Sequence, residues 1–102
     1  MPTETTLRLD ELEEGSMKAV DIGGEQVVVA KVDGECFAFG GLCTHEDAPM
    51  VEGTLEGGTV TCPWHFSGFD VKTGAVVGGV ADKPLPSYEV RVDGDEVRIL
   101  KP

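Results

Sequence analysis

Short apolar runs, each cut off by a pair of turn-forming residues, recur along the whole chain. Residues 17–22 (MKAVDI) and 26–32 (QVVVAKV) flank Gly23-Gly24, and residues 36–39 (CFAF) follow Asp33-Gly34. Residues 59–62 follow Gly57-Gly58, residues 69–72 and 75–77 flank Thr73-Gly74, and residues 88–92 and 96–100 flank Asp93-Gly94. Runs of this length, rich in Val, Ile, Thr and Phe and bounded by Gly-Gly or Asp-Gly, are the pattern of antiparallel strands joined by hairpins. A first strand is expected at residues 5–9. Residues 10–14 should make one helical turn, with Asp10 as N-cap and Gly15 as stop. The turns account for most of the fourteen glycines. The pattern predicts an all-β chain without linker, repeat or low-complexity segment.

A chain of 102 residues is one domain. It is long enough for a core, burying about 60–70% of its unfolded surface. The formal net charge of −11 repels nucleic acid and anionic lipid and would steer the chain toward a basic patch on a partner. The first ten residues lack the basic-then-apolar order of a signal peptide, and no apolar stretch approaches a membrane span. The expectation is a soluble, cytoplasmic protein with no nucleic-acid or membrane partner. Three cysteines do not make a disulfide framework. Cys36, inside an apolar run, reads as a packing residue.

The candidate chemistry sits in two short segments. They are Cys43-Thr44-His45 and Cys62-Pro63-Trp64-His65, separated by sixteen residues, and they contain both histidines of the chain. Each segment offers one thiolate and one imidazole. Thiolate suits iron–sulfur clusters and zinc; imidazole suits iron, zinc and copper. Zinc usually takes Cys₂His₂ as C-x₂₋₄-C paired with H-x₃₋₅-H. Here each segment is mixed, as a [2Fe–2S] centre requires when two His replace two Cys on one iron. A zinc-stabilised interaction domain is the alternative that the ligand types leave open.

These segments and their flanks resemble the Rieske iron–sulfur family. Asp33-Gly34-Glu35 and Phe37-Ala38-Phe39 lead into the first loop. Phe69-Asp70-Val71 and Thr73-Gly74 follow the second, and Pro84-Leu85-Pro86 and Tyr88-Glu89-Val90 lead into the last strands. The resemblance covers about residues 5–100. It implies an antiparallel β-sandwich, residues 1–102 as a single Rieske domain, with a small cluster-binding subdomain at about residues 41–77 formed by two ligand loops. It implies one [2Fe–2S] cluster per chain. Cys43 and Cys62 would ligate the inner iron, and His45 and His65 the outer iron through Nδ1. A third loop containing Gly78-Gly79-Val80-Ala81 would cover the cluster, with Val80 where relatives often have Pro. Pro49 would fix the exit of the first loop. Trp64 would shield the cluster or pack beneath its loop.

Departures from the pattern sort the subfamily. Respiratory and photosynthetic members carry an extra Cys in each loop. The comparable positions here, Ala48 and Trp64, have none, and Phe69 stands where those members have a Tyr. Oxygenase α-subunits add a mononuclear iron domain, for which this chain has no further His. The resemblance therefore implies a Rieske-type ferredoxin, an electron-transfer protein and not an enzyme. It would be a monomer that takes electrons from a flavin-dependent NAD(P)H reductase and passes them to a terminal aromatic-ring oxygenase. Docking would be transient and would use an acidic surface that includes Glu46 and Asp47. The alternative is the small Rieske subunit of an assimilatory nitrite reductase. Phe66 in place of a family Gly, with Gly68 two residues later, leads to the expectation that Ser67 points away from the cluster. With Phe69 unable to donate a hydrogen bond, the reduction potential would then fall below about 0 mV, toward the low end of the Rieske range.

Overall fold

The strand β3 (Glu25–Val32) explains the layout of the molecule. In a computed structural model describing residues 4–43, 48–64, 67–79 and 83–100, the run Val27-Val28-Val29-Ala30 is buried at every position. Successive side chains of a strand point to opposite faces, so a strand buried throughout needs a core on each side. Val27 and Val29 pack with Leu7, Leu12, Ile22, Ala38, Val97 and Ile99. Val28, Ala30 and Val32 pack on the other side, with Phe39, Met50, Val60, Phe69, Val71 and Leu85.

The other strands are arranged around these two cores. They are β1 (Glu4–Arg8), β2 (Met17–Ile22), β4 (Glu35–Gly40), β5 (Thr54–Glu56), β6 (Thr59–Thr61), β7 (Gly68–Asp70), β8 (Val76–Gly78), β9 (Ser87–Asp93) and β10 (Glu96–Leu100). A six-stranded sheet has the order β1-β10-β9-β4-β3-β2 and a four-stranded sheet the order β5-β6-β7-β8. All pairings are antiparallel. The edge strands β1 and β2 approach each other, so the large sheet curls around the first core. The small sheet packs against the outer face of β3 and β4 through the second core. The result is the expected all-β sandwich. Among the described residues, no helix is long and apolar enough to cross a membrane.

Turn chemistry fixes the register. Gly23-Gly24, Gly57-Gly58 and Asp33-Gly34 all have positive φ at both positions, as the tight hairpin turns matching strand twist require. Asp33 is the one non-glycine residue with positive φ among those described. Its turn is braced by the Glu14 carboxylate, which accepts the amides of Asp33 (2.7 Å) and Gly34 (2.8 Å).

Two local expectations need correction. The helical turn is a single 3-10 turn at Leu9–Glu11, with Arg8 rather than Asp10 at its N-cap position and no side-chain cap. Asp10 lies inside the turn and pairs with Arg8 at 3.1 Å. The short turn delivers Leu12 into the first core, where it is fully buried. In addition, β5 and a 3-10 turn at Met50–Glu52 occur where no element was expected. β5 is the incoming arm of the Gly57-Gly58 hairpin, with Thr54 paired to Thr61, Leu55 to Val60 and Glu56 to Thr59.

Ile99 sits in the first core, on the far side of β3 from the candidate site. Ile99→Ala should cost about 2–5 kcal/mol in urea unfolding, the usual range for a cavity of this type, while metal content below the transition stays unchanged.

Candidate iron–sulfur site

The first loop leaves β4 at Gly40. The Gly41 amide donates to the Gln26 carbonyl at 2.9 Å. A Cβ on Gly41 would lie 2.7 Å from that carbonyl oxygen. The chain is thus pressed against β3 two residues before Cys43. Leu42 then pairs with Pro49 as an isolated bridge, and the Cys43 amide donates to the Ala48 carbonyl at 2.8 Å. Pro49 stands where the loop closes, as expected, and immediately precedes the Met50–Glu52 turn. His45, with Thr44, Glu46 and Asp47, lies outside the described residues.

The second loop repeats this arrangement. Thr61 of β6 pairs with Gly68 of β7, and the Cys62 amide donates to the Ser67 carbonyl at 2.8 Å. In both loops a paired residue precedes the Cys, and the Cys amide bonds the carbonyl five residues on. The spacings C-x-H and C-x-x-H conceal this equivalence. His65 and Phe66 lie outside the described residues.

Cys43 and Cys62 are each 1% exposed and belong to one core group with Ala48, Met50, Val60 and Phe69. The structure therefore brings the two thiol-bearing residues into one apolar environment, each with its amide committed to closing its own loop. That donor set fits the two thiolates a [2Fe–2S] group takes on one iron. Cys36 belongs elsewhere. It is half-buried on β4 and packs against the opposite core, with Leu7, Ala38 and Val97. Burial pushes its thiol pKa up, with Lys31 partly opposing and Glu14 reinforcing the shift.

Close backbone approaches join the loops. A Cβ on Gly53 would fall on the Thr61 carbonyl, so the chain returning from the first loop lies directly against the strand that enters the second. A Cβ on Gly74 would fall on the Leu85 carbonyl, and the Leu85 amide donates to the Gly74 carbonyl at 2.8 Å. Leu85 is thereby seated in the same core as the two cysteines. Of the expected covering loop, Gly78 and Gly79 are described, whereas Val80 and Ala81 lie outside the described residues.

Ser67 and Phe69 are both fully buried. One of the two readings of Trp64 falls. Trp64 is 54% exposed, so it does not pack beneath its loop. Leu42, beside Cys43, is 45% exposed. Sequence reasoning had not singled out Leu42. Its signal was an apolar residue directly before a candidate ligand, in a segment too short for a strand.

Comparison with known proteins agrees with this geometry. Residues 5–89 match the Rieske [2Fe-2S] domain family. The chain is 35% identical over 91 residues to the ferredoxin component of the naphthalene 1,2-dioxygenase/salicylate 5-hydroxylase systems of a Ralstonia species, covering 89% of this chain and 88% of that protein. It is 35% identical over 95 residues to apoptosis-inducing factor 3 of Mus musculus, covering 93% of this chain but only 16% of the length of that protein. Among solved structures it superposes on the ferredoxin of carbazole 1,9a-dioxygenase from Nocardioides aromaticivorans IC177 with a TM-score of 0.93 and 31% identity, covering 98% of this chain and 99% of that one. It also superposes on a chain from the complex of reduced oxygenase and oxidized ferredoxin in carbazole 1,9a-dioxygenase, with a TM-score of 0.92 and 28% identity, covering 98% of this chain and 94% of that one.

Cys36→Ser should keep full iron content, because Cys36 faces the other core. Alkylation of Cys36 by iodoacetamide should be slow at neutral pH and accelerate only above the ordinary thiol range, since the thiolate is the nucleophile and burial disfavours it. An early, fast-reacting Cys36 would contradict that placement. With its paired loops, its two buried cysteines and its match along most of its length, the chain belongs to the Rieske [2Fe-2S] domain family, with a [2Fe–2S] cluster as its cofactor and the ferredoxin components of dioxygenase systems among its relatives.

Proposed function

We propose that the chain is a one-electron carrier, the ferredoxin of a multicomponent dioxygenase system. It takes electrons from a flavin-dependent NAD(P)H reductase and delivers them to the Rieske centre of a terminal oxygenase. The observation that carries this reading is the twinned loop pair, which presents Cys43 and Cys62 together on one core. In this reading Cys43 and Cys62 hold one iron, and His45 and His65 hold the other. When bound, the cluster supplies the one-electron redox chemistry. The chain holds that cluster, excludes water from its thiolate side and presents its imidazole side to a partner. It performs no bond chemistry on an organic substrate. Residues 1–102 act as a single domain, with a cluster-binding subdomain at about residues 41–77, and the protein works as a cytoplasmic monomer.

In this reading the buried cysteines hold the inner iron and the imidazoles the outer one. Electron transfer falls steeply with distance, so the docking surface should surround the imidazole side. Leu42 and Trp64 are exposed apolar side chains next to the ligand positions, and an exposed Trp is the residue type most often found to dominate binding energy at interfaces. Glu46 and Asp47 directly follow His45 in sequence and would add a salt-sensitive attraction to a basic partner surface. The carbazole dioxygenase complex of oxygenase and ferredoxin supports a terminal oxygenase as the acceptor.

The purified protein should be red-brown, with two irons and two acid-labile sulfides per chain, and dithionite should bleach it to the low-average-g EPR signal of a Rieske centre. Stoichiometric zinc and no visible absorbance after anaerobic purification would end this reading. Cys43→Ser and Cys62→Ser should abolish the signal, and His45→Ala or His65→Ala should abolish it or leave an unstable cluster.

Electron delivery to a cognate oxygenase should slow as salt rises, since such attractions are screened over about 8 Å at physiological ionic strength. The double substitution Glu46→Lys with Asp47→Lys should reduce the rate at low salt with iron content unchanged. Trp64→Ala should reduce it at every salt concentration. Wild-type rates in both variants across a salt series would place the docking surface elsewhere.

A further inference from the structure

The segment leaving β8 lies on the second ligand loop at one point. There, Gly79 meets Ser67. Gly79 has φ +89, and a Cβ added to it would fall on the Ser67 Cα and lie 3.0 Å from both the Ser67 amide nitrogen and its hydroxyl oxygen. Two of these atoms are backbone, which cannot swing aside as the end of a flexible side chain can. Ser67 is the one polar residue in the buried set among the described residues, with 0% exposure. It is also the residue whose carbonyl closes the second loop onto Cys62 at 2.8 Å. Any displacement of Ser67 therefore reaches both a buried hydroxyl and a proposed thiolate ligand.

The neighbouring glycine provides a contrast. Gly78 pairs with Gly68, the residue after Ser67, but a Cβ on Gly78 would meet nothing within 4 Å. Its φ lies outside the left-handed range that disfavours side chains. The pairing of β7 with β8 also shifts register between Gly68 and Phe69. This irregularity bends the strand end beside the point where the outgoing chain passes over Ser67. Of the two adjacent glycines, only Gly79 is required by its surroundings.

We propose that Gly79 is a positioning residue for the cluster: lacking a side chain, it lets the chain lie flat on Ser67 and so fixes where the Ser67 hydroxyl and the Cys62 end of the loop stand. This inference rests on the ligand assignment proposed above and adds the residue that sets the potential through it. A hydroxyl held close to an iron–sulfur group stabilises the more negative, reduced state, so loosening it lowers the potential.

The test uses Gly79→Ala, Gly78→Ala, Ser67→Ala and the double variant Gly79→Ala with Ser67→Ala, each assembled with its cluster. The readouts are iron content, EPR g values and midpoint potential by protein-film voltammetry. Gly79→Ala and Ser67→Ala should each lower the midpoint and move the g values, while Gly78→Ala matches the wild type. Because both changes act at one place, the double variant should shift less than the sum of the single shifts. Gly79→Asn, which tolerates positive φ but keeps the Cβ, should shift like Gly79→Ala and so separate contact from backbone strain. A wild-type midpoint and g values in Gly79→Ala, or fully additive shifts, would overturn the inference. If Gly79→Ala fails to assemble, Ser67→Ala decides: an unchanged midpoint refutes the inference, and a lowered one beside a silent Gly78→Ala supports it. A wild-type chain with no Rieske EPR signal would remove the ligand assignment itself, whereas a normal signal indifferent to these variants would remove only the role of Gly79.

Discussion

Two-sided burial of β3 is the constraint on which the rest of the molecule depends. A half-buried strand can be covered by one layer, but Val27 to Ala30 need partners on both faces. Each buried Val is worth about 1.5–3 kcal/mol relative to exposure, enough to hold two separate assemblies against one strand. On one side the large sheet curls over itself. On the other, the small sheet and both cysteine-bearing loops are drawn against Val28, Ala30 and Val32. The candidate site is therefore built on the most deeply buried strand of the fold, and its thiol side shares that strand's core.

Glycine performs a second task beyond its part in the hairpins. Gly41, Gly53, Gly74 and Gly79 each mark a place where two backbones run closer than a Cβ would allow. All four lie in or beside the part of the chain that carries the loops. Of these, Gly74 and Gly79 also take positive φ, whereas Gly41 and Gly53 are selected by space alone. The small sheet has strands of only three residues, too few to define a rigid unit by pairing. Direct contact of main chain with main chain supplies the rigidity that short strands cannot.

The sequence made some features legible and hid others. Hairpins marked by Gly-Gly and Asp-Gly appear where their turns demand them, and β2 and β10 have the expected bounds. Cys43 and Cys62 stood out because thiol and imidazole recur together at short spacing, and the structure sets both in one core. β5 was not, since Thr54-Leu55-Glu56 is too short for a periodic signal and is defined only by its partner β6. Glu14 looked like part of a helical turn, yet its carboxylate caps a hairpin nineteen and twenty residues away, a contact no local pattern encodes. The close approach of Gly79 to the buried Ser67, twelve residues earlier, is another contact that no local pattern encodes. Trp64 offered two readings, shielding the cluster or packing beneath its loop, and its exposure removes the second.

Cys43 to Ala48 and Cys62 to Ser67 span the same number of residues, and each closure hands the chain back to a paired strand position. Side chains alternate along a strand with a period of two. The closing bond sets the step from Thr61 to Gly68, and Phe69, one residue on, falls on the core face of β7. The histidine follows its cysteine by two positions in the first loop and by three in the second, yet the closing carbonyl stands five positions on in both. Strand phase beyond each loop is thus set at the closing bond and not at the ligand, so a substitution between cysteine and closing residue leaves the phase of the sheet untouched.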